Sequence, residues 1–126
     1  MQTQQIAEKL INMCKSGQWR EAQQELYDEN AVSIEPAGAP FPERTEGMEA
    51  IQQKGDRYES MIEEVYGLSV TEPVVAGNFF TLKMVNDIKF QGMPRMLNEE
   101  LCLYEVKDGK IIREQFFYYV PPSNAS

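Results

Sequence analysis

Histidine does not occur in this chain of 126 residues. A Ser-His-Asp triad, a Cys-His pair and a histidine-ligated metal are therefore excluded. Acid–base work must fall to Asp, Glu, Tyr, Lys or Cys. The two cysteines, Cys14 and Cys102, lie far apart with no metal-ligand spacing. They read as free, buried, small apolar residues in a reducing compartment. No motif signals a metal or a cofactor, and none is expected. Two carboxylates then stand out by position: Glu35, immediately before Pro36, and Glu100, in the strand-rich second half.

Glu100 draws its interest from the row it occupies. In the segment 78–90 the even positions are Phe80, Leu82, Met84, Asn86, Ile88 and Phe90, while Thr81, Lys83, Asp87 and Lys89 are odd. A strand alternates its side chains between two faces, so the even row faces a core and Asp87 faces out. The loop from Gln91 to Arg95 turns the chain. Pairing Phe90 with Met96 sets Leu82 opposite Tyr104, Met84 opposite Cys102 and Asn86 opposite Glu100. Asp108-Gly109 is a strong two-residue hairpin signal that pairs Val106 with Ile111. The last inner row is then Ile111, Arg113, Gln115, Phe117 and Tyr119. A one-residue bulge would select Ile112, Glu114, Phe116 and Tyr118 instead.

In the first of these registers Asn86, Asn98, Glu100, Tyr104, Arg113 and Gln115 converge among aromatics and methionines. An unpaired buried carboxylate is costly. Either Glu100 pairs with Arg113 in a structural network, or these groups face a ligand in an apolar cavity. Tyr104 and Tyr58 carry hydroxyls able to stabilise an oxyanion. Trp19, Tyr27, Met61 and Met84 are expected to line the cavity or pack the core. Asp28, Glu29, Glu63 and Glu64 read as solvated surface.

The elements that must position these groups follow from periodicity. Ile6, Leu10, Met13 and Cys14 share one face of a helix over 3–16, which Gly17 stops. A short helix over 18–26 follows, with Trp19, Ala22 and Leu26 inward. Ala31-Val32-Ser33-Ile34-Glu35 alternates and ends at Pro36, the mark of a short strand. The segment 36–45, rich in proline, is loop. A third helix spans about 47–63, with Met48, Ile51, Tyr58 and Ile62 on one face. Gly55 falls on that face, where a close approach to the sheet would account for it. Four strands follow, near 65–75, 78–90, 95–106 and 110–120. Helices set apart from an antiparallel sheet make an α+β domain. The domain covers 1–120, and 121–126 is a loose tail.

This order of elements is similar to the nuclear transport factor 2-like, cystatin-like fold. Within it, Tyr27-Asp28-Glu29-Asn30-Ala31-Val32-Ser33-Ile34-Glu35-Pro36 and Glu46-Gly47-Met48-Glu49-Ala50-Ile51 resemble SnoaL-like members. So does the stretch from Leu103 to Glu114. The resemblance implies a cone-shaped half barrel, three N-terminal helices closing a curved, mostly antiparallel sheet over a cavity. Such members include polyketide cyclases, ketosteroid isomerases, dehydratases and epoxide hydrolases, commonly as homodimers through the sheet. In ketosteroid isomerases a catalytic base carboxylate directly precedes a proline after the first strand. Glu35 before Pro36 holds that place, and Gly38 continues the pattern. The two oxyanion donors of that family fall near Leu10 and Cys102, so neither carries over. The histidine used by polyketide cyclases has no counterpart.

The expected function is therefore binding of a small hydrophobic or amphipathic molecule, with cofactor-free acid–base chemistry next to a carbonyl. Glu35 or Glu100 would take the proton, and Tyr104, Asn86 or Arg113 would stabilise the oxyanion. The alternative is a non-catalytic dimeric module, suggested by the outward Val85, Leu101 and Leu103. The balance of 12 basic and 20 acidic residues argues against nucleic acid or an anionic membrane as partner. The polar start and the absence of a long apolar run point to the cytoplasm.

Overall fold

The computed structural model describes residues 1–122. Thr3–Lys15 forms α1, which buries Ile6, Ala7, Leu10, Ile11 and Cys14. Gly17 ends it in a left-handed conformation, φ 74°, that an L side chain rarely adopts. Trp19–Leu26 forms α2 and buries only Ala22 and Leu26. The chain then enters β1, Tyr27–Ile34, without a linker. This is earlier than the alternation alone predicts, because Tyr27 pairs with the end of the molecule. Arg44–Glu46, in the segment read as loop, adds a short strand, β2, beside β1.

Met48–Met61 forms α3. A Cβ on its Gly55 would meet nothing within 4 Å, so the close approach expected there is not made. The sheet continues through β3 (Ile62–Val70), β4 (Val74–Ala76), β5 (Phe79–Phe90), β6 (Met96–Lys107) and β7 (Lys110–Phe117). The single strand expected over 65–75 is thus two, interrupted at Thr71–Pro73. The strand order is β2-β1-β7-β6-β5-β3, with β4 also on β5. All pairs are antiparallel except β1 with β7. The helices cover one face, and the core lies between them and the inward rows Phe80, Leu82, Met84 and Cys102, Tyr104, Val106.

Two registers differ from expectation. In β5–β6, Ile88 pairs with Met96, Leu82 with Cys102, Met84 with Glu100 and Asn86 with Asn98. The slip is two residues, so the inward rows survive while each partner changes. Phe90 is instead paired with Ile62 of β3. Arg95 folds back over the turn and donates to both carboxylate oxygens of Asp87, at 2.9 and 2.8 Å. In β6–β7, Val106 does pair with Ile111, but Glu105 pairs with Arg113. Ile112 is the extra residue of a bulge, and from there the alternation reverses. Glu114 and Phe116 turn inward. Arg113 turns out to the opposite face, where it donates to Gln115 Oε1 at 2.9 Å.

The strand also stops at Phe117, short of the expected 120. Of the tail expected over 121–126, Pro121 and Pro122 are exposed and the last four residues lie outside the described residues. No helix among the described residues is long and apolar enough to cross a membrane.

Candidate functional site

A chain of buried polar groups runs along the inner face where β1, β7 and α3 meet. The alternation of β1 turns Ala31, Ser33 and Glu35 inward, and all three are buried. The bulge in β7 brings Glu114 opposite them. Helical spacing on α3 places Lys54 and Tyr58 on the stripe begun by Ile51.

Lys54 Nζ donates to Glu35 Oε2 at 2.8 Å and to Ser33 Oγ at 2.5 Å. Ser33 Oγ donates to Glu114 Oε2 at 2.6 Å, and Tyr27 donates to Glu114 Oε1. Tyr118, just past β7, donates to Glu35 Oε1 at 2.6 Å. The Lys54–Glu35 pair is nearly dry, with the two side chains 11% and 7% exposed. Both oxygens of Glu35 and both of Glu114 are thereby satisfied, as buried carboxylates require. Glu114 is wholly buried and its carboxyl is pushed up by desolvation, against the pull of Ser33, Tyr27 and Lys54.

Glu100 reaches the same face from β6 with different company. Among the described residues it accepts one weak hydrogen bond, from Cys102 Sγ to Oε1 at 3.8 Å. Burial, then the charges of Glu35 and Glu114, push its carboxyl up to about 7. A carboxyl poised there can accept and release a proton near neutrality. Tyr58 is pushed up to about 12 by burial and by the charges of Glu100 and Glu35, so it stays a phenol. Its ring is set edge-on to Phe90 at 5.8 Å and tilted against Phe41 at 6.3 Å.

A model of the SnoaL-like domain matches residues 1–118. The chain belongs to the SnoaL-like family. No curated protein matches the sequence. Among solved structures, a protein of Mesorhizobium loti with the provisional description SnoaL-like polyketide cyclase is 31% identical. The likeness covers 94% of this chain and 100% of that one, at a TM-score of 0.86. A Xanthomonas campestris protein of unknown function with a cystatin-like fold is 16% identical, covering 94% and 91%, TM-score 0.81. A Catenulispora acidiphila protein with a ketosteroid isomerase-like fold, in complex with trimethylamine, is 21% identical, covering 93% and 87%, TM-score 0.72. The last two show the fold alone.

In this SnoaL-like domain the residues singled out from the sequence divide. Glu35, Glu100 and Tyr58 come together. Met84 is buried and lies across the sheet from Glu100. Asn86 is half-buried on the same row. Tyr104 is fully buried, stacked on Phe80 with ring centroids 4.8 Å apart, and belongs to the core. Trp19 is 36% exposed at the start of α2, so it does not complete the buried cluster. Arg113 and Gln115 lie on the outer face, where with Phe79, Leu103 and Glu105 they border a hollow of about 160 Å³. Glu100 therefore has no Arg113 beside it.

Lys54, Ser33, Glu114 and Tyr118 are site groups that the sequence reading did not single out, and Tyr27, expected only as lining or core, joins them. Two signals were available for Lys54 and Ser33: a lysine at helical spacing from Ile51 and Tyr58, and a serine in phase with Glu35. Glu114 and Tyr118 were legible only in the bulged register.

Proposed function

We propose that this SnoaL-like domain binds a small, largely hydrophobic carbonyl compound against its inner face and moves a proton next to the carbonyl without a cofactor. Glu100 is the proton carrier. The observation that carries this reading is a carboxyl on the inner face that accepts only a weak thiol hydrogen bond, with the nearby Lys54 committed to Ser33 and Glu35, and that titrates near neutrality. Glu35, the position suggested by the ketosteroid isomerase pattern, is instead committed to Lys54 and Tyr118 and orients the surrounding donors. Isomerisation, cyclisation and dehydration all begin with this proton transfer. The polyketide cyclase description of the Mesorhizobium loti relative is consistent with that class.

The test is exchange of the hydrogens beside the carbonyl in deuterium oxide, followed by NMR over a panel of cyclic ketones and β-dicarbonyl compounds. A compound whose exchange the protein accelerates should lose at least about 100-fold of that acceleration in Glu100→Gln. Unchanged acceleration in that variant would remove Glu100 from the mechanism. A second reading is a non-catalytic dimeric or protein-binding module. It is favoured by the outer face of the sheet, where Leu97, Leu101 and Phe117 are 66%, 54% and 45% exposed. Pairing of that face with a second copy is compatible with either reading.

A further inference from the structure

We infer that the hollow on the outer face of the sheet binds the zwitterion of a small aliphatic α-amino acid. This site lies on the opposite face from Glu100 and does not depend on the proton-transfer reading.

The hollow is built from two neighbouring rows of side chains. Phe79 of β5, Glu105 of β6 and Arg113 of β7 stand side by side in one row. In the next row on the same face, Leu103 stands beside Gln115. These residues line the hollow. The bulge at Ile112 is what turns Arg113 to this side.

Glu105 and Arg113 are opposite charges placed directly across from each other, an arrangement that ordinarily closes into an ion pair. Here it does not. Among the described residues neither makes a salt bridge. A guanidinium has five N–H donors, and the hydrogen bond to Gln115 Oε1 at 2.9 Å uses one. The wall of the hollow therefore carries an unpaired carboxylate and a largely unused guanidinium. Side chains directly opposite start from Cβ atoms about 5 Å apart. That spacing suits an ammonium and a carboxylate borne on one carbon better than charges at the two ends of a longer chain.

Charge balance points the same way. The chain carries 12 basic and 20 acidic residues. A ligand with only a carboxylate would meet Glu105 and this negative field, and one with only an ammonium would meet Arg113. A zwitterion satisfies both. Size narrows the class further. At about 160 Å³ the hollow has the volume of about five waters, too little for a drug-sized molecule. Phe79 and Leu103 give it an apolar side, which suits a short aliphatic side chain. The exposed Leu101 and Phe117 stand one row beyond Leu103, away from Glu105, so the hollow lies at the edge of that apolar patch.

The probe is L-leucine, titrated into the isotope-labelled full chain and followed by amide NMR. Shifts are expected at Phe79, Leu103, Glu105, Arg113 and Gln115 and not at Ser33 or Glu100. N-acetyl-leucine lacks the ammonium and leucinamide lacks the carboxylate, and each should bind about fivefold more weakly. Arg113→Gln should weaken leucine by a similar factor without weakening leucinamide. Glu105→Gln should weaken leucine without weakening N-acetyl-leucine. Equal binding of leucine and its two analogues would overturn the proposal, as would no shift at the hollow in leucine up to its solubility. Shifts there that follow protein concentration rather than leucine would assign the hollow to a second copy and overturn it too.

Discussion

Glu35 and Glu100 share one face of the sheet, and their partners separate their roles. Glu35 sits between an ammonium and a phenol, and Glu100 has only a thiol. The raised carboxyl of Glu100 has a consequence for stability. With an ordinary value of 4.5 and a folded value of about 7, the folded chain binds this proton more tightly than the unfolded chain. Its contribution is full below pH 4.5 and is lost as the pH rises through about 7. The loss amounts to on the order of 3 kcal/mol. Glu100→Gln should therefore match the parent near pH 4.5 and exceed it by on the order of 2–3 kcal/mol at about pH 8, in urea unfolding. Parallel pH curves for the two proteins would mean that Glu100 titrates as an ordinary carboxyl. Glu35 was legible because the alternation through Ala31 and Ser33 carries it inward. Lys54 shares the helical stripe of Ile51 and Tyr58, but that spacing alone does not decide its role, because a lysine on a helix is ordinarily surface and its buried partners are distant in sequence.

At the scale of elements, the strands were legible through their period of two, and the misreadings concern where partners meet. The inward rows of β5 and β6 follow from alternation, while their pairing depends on how Arg95 and Asp87 close the turn. The bulge at Ile112 carries no local signal. What selects it is the distant pair of hydroxyls on Ser33 and Tyr27, which accept Glu114 into the interior and leave Arg113 in solvent. Glu114→Ala should cost at least about 2 kcal/mol in urea unfolding, since two buried hydroxyls lose their acceptor. A cost below about 0.5 kcal/mol would show that the network adds little. The opposite effect is expected in α3. Gly55 has open space around its Cβ position, so Gly55→Ala should raise stability by about 0.5–1 kcal/mol, read as an upward shift in thermal midpoint. A downward shift would reveal a close approach to the sheet there after all.

For the molecule as a whole, the sheet has one covered face and one bare one. On the bare face Leu101 stands beside Phe117, and Leu103 beside Gln115. The core of a single copy is built on the helix-covered side, so this outer patch is surplus to it. Self-association through it is the expected outcome. Leu101→Glu/Phe117→Glu should shift the sedimentation coefficient from dimer to monomer without changing the far-ultraviolet dichroism. A parent protein that sediments as a monomer at high concentration would leave the face without a second copy.

The parallel pairing of β1 with β7 also bears on the order in which the chain acquires structure. Residues 27–34 find their neighbour only at residues 111–115. Through most of ribosomal synthesis the segment holding Ser33 and Glu35 has its helices but no strand on its β7 side. Closing so long a loop is slow, and contacts this distant in sequence fold late. Pulse-labelled hydrogen exchange should find the β1 amides protected after those of the β5–β6 hairpin. The polar cluster between Tyr27 and Tyr118 is thus assembled last, after the apolar hairpin core that surrounds it has formed.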